Sequence, residues 1–214
     1  MEKRDIRHLR KQYDFGALEE STASDDPYEQ FDRWFQDAVK SDVFEPNAFA
    51  LSTASPDGVP SCRIVLLKEY DADGFVFYTN YGSRKGSEIR DNNRVAMLFY
   101  WDGLARQVRI EGRARKVKRS ESVDYFDARP EESKVSAIIS PQSQRVTDRD
   151  ELRAKKEDYL SSNKGTKCPR YWGGYRIKPS RFEFWQGRPN RLHDRLVYTW
   201  RRNKKVWTVD RLAP

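Results

Sequence analysis

The sequence predicts a mainly β domain, a barrel-like sheet system with helices at its periphery, and three observations lead there. Short runs rich in β-branched and aromatic residues recur between residues 47 and 117 and again beyond residue 170. Turn-forming Pro, Asp and Gly residues separate several of them, as in Pro56-Asp57-Gly58 and Asp71-Ala72-Asp73-Gly74. Helical periodicity is confined to segments outside these runs. At 214 residues, with 37% apolar and 13% aromatic side chains, the chain is long enough to enclose a core in which large rings supply much of the buried area.

The first element is a helix over Asp26–Lys40. Asp26 caps it, Pro27 suits the first helical position, and Glu29 is expected to close a capping box. Phe31, Trp34, Phe35, Ala38 and Val39 follow the helical repeat and define its packed face. Strands are then expected at Ala48–Ala54, Arg63–Tyr70, Phe75–Thr79, Val95–Trp101 and Gln107–Val117, with tight turns making neighbours antiparallel. A short helix interrupts them from Ser83 to Asn92. A second helical region covers Ser120–Ala128, Glu131–Ile139 and Asp148–Ser161, broken by Pro130 and Pro141, its last helix charged and solvated. Strand patterns return at Gly174–Ile177, Arg181–Trp185, Arg195–Trp200 and Lys205–Val209. The organisation expected is a mobile N-terminal segment, residues 1–25, ahead of a single domain, residues 26–214.

Forty-one Lys and Arg against thirty-three Asp and Glu give a net charge of +8, which draws anions of any kind, so arrangement must decide which. No run is long and apolar enough for a membrane span, and the first residues, MEKRDIRHLRKQY, lack a signal-peptide core, so a cytoplasmic protein is expected. Cys62 and Cys168, without CxxC spacing, read as reduced packing residues. Walker A, GxGxxG and HExxH patterns are absent, which removes support for nucleotide hydrolysis, Rossmann binding and zinc proteolysis. With only His8 and His193 present, a histidine-rich metal site is excluded and no metal is expected.

Four segments carry candidate chemistry. Arg63-Ile-Val-Leu-Leu-Lys68 sets two cations in a strand, and their differing parity should aim them at opposite faces unless a bulge intervenes; strand-end charges reaching water would explain them as simply. Tyr78-Thr79-Asn80 precedes Ser83-Arg84-Lys85-Gly86 at a helix start, a combination suited to a phosphate. Tyr125 and Arg129 share a helix face with Ser133 four residues on, although an exposed helical Arg reads the same way in isolation. The run from Phe184 to Arg195 concentrates aromatic, basic and imidazole groups, and if extended it would aim Arg191, His193 and Arg195 in one direction.

Taken together, RIVLLK, FYTNYGSRKG, RQVRIEG, YFDARP, PQSQ, YWGGYRI, EFWQGRPNRLHDR and the terminal DRLAP resemble the pyridoxine (pyridoxamine) 5′-phosphate oxidases over nearly the whole chain. The resemblance implies an FMN-binding split β-barrel assembled as a homodimer, with FMN at the interface and shared between the chains. It implies FMN contacts from Arg63, Ile64, Val65, Leu66, Lys68, Tyr78, Thr79, Arg84, Lys85, Gln107, Gln142, Ser143, Trp185 and Arg195. It assigns the substrate phosphate to Lys68, Tyr125, Arg129 and Ser133, the pyridine ring to Arg191 and His193, and a mobile N-terminal cover to Arg10 and Tyr13.

The reaction so implied oxidises C4′ of pyridoxine 5′-phosphate or pyridoxamine 5′-phosphate with O2. It gives pyridoxal 5′-phosphate and hydrogen peroxide, with ammonia from the amine. Arg191 and His193 are the expected catalytic residues, His193 acting either as a base or as an orienting group. Two positions depart from the family pattern: Ser136, where glycine is common, and Asp127, where histidine is often seen. The rival readings are a split-barrel flavin reductase, a non-catalytic flavin or pyridoxal phosphate carrier, and an RNA-binding module using the basic run Arg106 to Arg119. The alternating Val108, Ile110 and Ala114 favour a solvated strand face over nucleic-acid binding.

Overall fold

A computed structural model describes residues 5, 7, 13, 15–162 and 164–214. Its elements run α1 (Pro27–Lys40), β1 (Ala48–Ala54), β2 (Pro60–Leu66), β3 (Glu69–Asp71), β4 (Gly74–Asn80), α2 (Arg84–Asp91), β5 (Arg94–Trp101), β6 (Arg106–Lys116), α3 (Arg119–Asp127), α4 (Glu131–Ile139), α5 (Arg149–Ser161), β7 (Trp172–Gln186), β8 (Asp194–Arg201) and β9 (Val206–Arg211). The hydrogen-bonded strand order is β2-β1-β5-β6-β7-β4-β3, with β8 on β7 and β9 on β8. The residues group into two compact units, Met1–Pro46 with Leu98–Ile110 and Ser180–Pro214, and Asn47–Met97 with Glu111–Pro179.

In the first unit the aromatic face of α1 meets a core of rings. Phe31, Phe99, Trp101, Phe182, Phe184 and Tyr198 are almost wholly buried. Burying one such side chain contributes about 1.5–3 kcal/mol, so this ring cluster holds the unit together. Two details of α1 differ from expectation. Val39 is half exposed while Gln30 is buried, because the contact stripe runs through Gln30, Phe31, Trp34 and Ala38. The capping box does not form: Asp26 accepts from the Tyr28 amide at 2.8 Å, but Ser24 Oγ intercepts both remaining groups, donating to Glu29 and accepting from the Asp26 amide.

In the second unit β1 and β2 form an antiparallel pair in register from Ala48 opposite Leu66 to Ala54 opposite Pro60, closed by the turn at Gly58. β3 and β4 are joined through Asp71, whose carboxylate accepts from the Asp73 and Gly74 amides. α2 is capped by Ser83, which accepts from the Gly86 amide, and no residue of α5 is buried. Among the described residues no helix is long and apolar enough to cross a membrane.

Most expected strands end within two residues of the observed ones, but two divisions of the chain differ in kind. The run Arg63–Tyr70 is not continuous: the Leu67 amide donates to Asn47 and the Lys68 amide to Val76, so the chain leaves one partner for another between these residues. Gly174–Ile177 and Arg181–Trp185 instead belong to one strand, β7. Pro179 is tolerated there because it falls between the last partner on β4, opposite Ile177, and the first on β8, opposite Arg181. Both cysteines are free; Cys62 is exposed on β2 rather than packed, and Cys168 is half-buried.

Candidate active site

The second unit contains a cavity of about 680 Å³ whose lining includes Arg63, Lys68, Lys85 and Arg129 and, among the described residues, no carboxylate. That volume lies in the range of small-molecule sites, and four cations without an acid make it selective for an anionic ligand. Twelve of the anticipated residues line it: Arg63, Ile64, Val65, Leu66, Lys68, Tyr78, Thr79, Lys85, Tyr125, Arg129, Ser133 and Gln142. The switch of partner strands after Leu66 explains why Arg63 and Lys68 share the cavity, against the opposite-face expectation, since the two-residue alternation stops where β2 ends.

Each cation is held differently. Arg63 donates from its two terminal nitrogens to Leu51 O, Thr53 Oγ1 and Ser61 Oγ and pairs with buried Glu88 at 3.3 Å. Glu88 also takes Arg84 Nε at 2.9 Å, and its hydroxyl and arginine partners hold its pKa at about 2. The Lys85 ammonium is buried, 3.3 Å from Thr79 Oγ1 and 3.4 Å from Gln142 Oε1, and desolvation together with the nearby Arg63 charge lowers its pKa. Both of its hydrogen-bond partners are neutral, so an anion beside it would restore the lost stabilisation.

Arg129 lies 4.9 Å over the ring of Trp172, with a terminal nitrogen buried and, among the described residues, without a hydrogen-bond partner. A buried donor left unpaired costs about 1–3 kcal/mol, which a phosphate oxygen would recover. Tyr125 stacks on Tyr78 at 4.0 Å, and both rings run nearly parallel to Trp172. Tyr78 donates to Glu69 at 3.1 Å, and burial with that carboxylate raises its pKa, keeping the phenol protonated. These observations fit a flat phosphorylated cofactor and a phosphorylated substrate.

A separate cluster lies in the first unit. The Trp185 and His193 rings are 4.6 Å apart, and Tyr13 meets each edge-on at 5.8 Å. His193 Nδ1 accepts from the Arg188 amide at 3.0 Å, which leaves the proton of the neutral ring on Nε2. Desolvation and the Arg191 charge lower its pKa, favouring that neutral form.

Arg191, His193 and Arg195 do not form one extended wall. Positive φ at Asn190 and Arg191 breaks the alternation, β8 starts only at Asp194, and Arg195 turns to Glu183 at 3.0 and 2.7 Å. Arg84 and Ser143 are outside the cavity lining, the first drawn to Glu88 and the second in an exposed turn; Gln107 is half-buried on β6. Arg10 lies outside the described residues.

Sequence reasoning assigned no role to Trp172 or Glu88, while Asn80, part of the anticipated phosphate segment, lines the cavity. Trp172 had a signal in the two glycines after it: a Cβ on Gly173 would stand 2.3 Å from the Tyr81 hydroxyl, so this strand end packs tightly enough to fix the ring. Ser136, flagged for packing, returns its hydroxyl to Glu132 O at 2.8 Å on the cavity side, and Asp127 is exposed at the end of α3. The basic run on β6 is engaged in contacts such as Arg106 with Asp37, Arg109 with Glu183 and Arg113 with Asn93.

Comparison with known proteins agrees with this geometry. Residues 35–162 match the family model described as pyridoxamine 5′-phosphate oxidase, and residues 172–214 match the pyridoxine 5′-phosphate oxidase C-terminal dimerisation region. The chain is 52% identical to the pyridoxine/pyridoxamine 5′-phosphate oxidase of Bordetella pertussis, covering 98% of this chain and 99% of that protein. It is 50% identical to the protein of that name from Rubrobacter xylanophilus, over 99% of this chain and 98% of the relative. Among solved structures, PhzG from Burkholderia lata 383 in complex with tetrahydrophenazine-1-carboxylic acid is similar, with TM-score 0.88 and 31% identity, covering 95% of this chain and all of that one. A pyridoxamine 5′-phosphate oxidase-related, FMN binding protein from Nostoc punctiforme shares the fold at TM-score 0.70 and 16% identity, over 89% of this chain and all of that one. This chain therefore belongs to the pyridoxamine 5′-phosphate oxidase family of oxidoreductases and has its mainly β, split-barrel fold.

Proposed function

We propose that the protein oxidises pyridoxine 5′-phosphate or pyridoxamine 5′-phosphate to pyridoxal 5′-phosphate, using FMN and O2. The observation that carries this is the cavity that no carboxylate of the described residues lines, in which Lys85 is buried against neutral partners and half-buried Arg129 holds a buried nitrogen that no described residue pairs. Arg63, Lys85, Thr79 and Gln142 would hold the cofactor, and Lys68, Tyr125, Arg129 and Ser133 the substrate phosphate. Flavin, when bound, would supply the redox chemistry that couples the two-electron oxidation at C4′ to reduction of O2 to H2O2.

The protein's own task is then positioning and charge stabilisation. Trp172 fixes the plane of Arg129, and stacking on Tyr78 fixes Tyr125. With Nδ1 accepting from the backbone, neutral His193 offers Nε2–H as a donor to the substrate ring or its C4′ substituent, so we assign it an orienting role. Tyr13 covers the Trp185–His193 pair. We further propose that Arg191, His193, Trp185 and Arg195 complete the cavity of a second copy in a homodimer, consistent with the dimerisation region over residues 172–214.

The test is a visible spectrum of the purified protein reconstituted with FMN, followed by peroxide and aldehyde assays with phosphorylated and dephosphorylated pyridoxine. A flavin spectrum with turnover only of the phosphate ester is the expected result. The likeness to PhzG favours a second reading, oxidation of a tricyclic carboxylic acid. Turnover of tetrahydrophenazine-1-carboxylic acid, with none of pyridoxine 5′-phosphate, would select it.

A further inference from the structure

Residues Phe15 to Glu20 carry few apolar anchors: Leu18 is buried, while Phe15 is 40% exposed. What fixes their path is a set of side chains from the C-terminal strands. Arg211 donates to Glu20 through two bonds of 2.7 and 2.6 Å and to Asp194 at 2.9 Å. Asp194 accepts from the Leu18 amide at 3.1 Å, while Arg211 donates to the Leu18 carbonyl at 2.8 Å. An ion pair thus grips both polar groups of one peptide residue, as a neighbouring strand would.

A second grip lies six residues before Asp194, at Arg188. Arg188 donates to Phe15 O at 3.0 Å and pairs with Asp194 at 3.4 Å. The same short loop fixes His193, through the Arg188 amide, and its Gly187 leaves room for Tyr13, whose ring would be 2.8 Å from a Cβ there. Two of the groups that hold residues 15–20, Arg188 and Asp194, are therefore neighbours in sequence of Gly187 and His193, which Tyr13 meets, and Arg211 is tied to them through Asp194.

We propose that Arg211, with Glu20 and Asp194, is an ionic clasp that positions Tyr13 over the Trp185–His193 pair, making Arg211 and Glu20 positioning residues for substrate. Neither touches the rings. The clasp acts by fixing the backbone from Phe15 to Glu20, so that Tyr13 closes on the site without a separate ordering cost at each binding event. This rests on the oxidase reading only in taking Trp185 and His193 as the substrate's neighbours.

Arg211→Met keeps the side-chain stem and removes the guanidinium; Glu20→Gln, at an exposed position, removes one charge and leaves the fold. Two measurements are made on the FMN-loaded protein. Hydrogen exchange at the Leu18 amide should quicken at least tenfold in Arg211→Met, and less in Glu20→Gln. The KM for pyridoxine 5′-phosphate should rise about tenfold in Arg211→Met with kcat nearly unchanged. Tyr13→Ala should raise it likewise, and the double variant should show little further increase. Unchanged exchange at Leu18, or KM increases that multiply in the double variant, would overturn the clasp. Failure of the unmodified protein to oxidise pyridoxine 5′-phosphate would refute the oxidase reading instead, while the exchange arm would still decide whether the clasp exists.

Discussion

At the scale of single residues, Arg129 shows how burial and lost pairing mark a binding group. Desolvation lowers its pKa, Trp172 supports its face, and one buried nitrogen has no hydrogen-bond acceptor among the described residues. Arg129→Ala should raise KM for pyridoxine 5′-phosphate by about one to two decades, or ~1.5–3 kcal/mol, and erase the preference over dephosphorylated pyridoxine. Steady-state kinetics on both compounds measure this, and an unchanged preference would remove Arg129 from the phosphate site. His193 gives a pH prediction. Its folded pKa is depressed, so below its unfolded value near 6.5 the unfolded chain binds more protons there and stability falls. Between pH 7.5 and 5 the thermal midpoint of His193→Gln should therefore drop less than that of the unmodified protein.

At the scale of elements, most of the frame was legible because local chemistry decided it. The bounds of β1 and α4 coincide with the periodicity, and α2 is closed by the anticipated residues Ser83 and Asn92. What escaped were features set by partners distant in sequence. The exchange of strand partners at Leu67–Lys68 depends on Asn47 and Val76, and the fusion of two strands into β7 depends on which neighbours Pro179 separates. The site divided in the same way. The anion-binding residues were found as charged motifs, whereas Trp172 and Glu88, which hold Arg129 and Arg63 from behind, have no chemistry of their own to announce them. The β3–β4 turn tests how strictly one residue fixes an element. Gly74 has φ of +132°, and a Cβ there would stand 2.1 Å from the Ile177 carbonyl oxygen. Gly74→Ala should therefore destabilise by well over ~1 kcal/mol, seen as a lower denaturant midpoint at constant slope. An unchanged midpoint would mean that β4 can move away from β7 at no cost.

At the scale of the whole molecule, the dimerisation region covers the segment that carries Trp185, Arg191, His193 and Arg195, while the anion cavity is built from Asn47–Met97 and Glu111–Pro179. If each site joins the cavity of one chain to the ring-binding cluster of its partner, complementation between inactive variants follows from twofold symmetry. Arg129→Ala impairs the cavity side and His193→Ala the ring side. In a mixed dimer both lesions then fall in one site, and the other site is intact. Unfolding and refolding the two variants together in equal amounts makes half the dimers mixed, so activity should return to roughly a quarter of the unmodified level at low substrate. Were both groups drawn from the same chain, every site in the mixed dimer would keep one lesion, and refolding together would restore nothing beyond the average of the two variants. The readout is clear where each variant alone is nearly inactive at low substrate, because any recovered activity then comes from the intact site of the mixed dimers and reports which chain supplies each group.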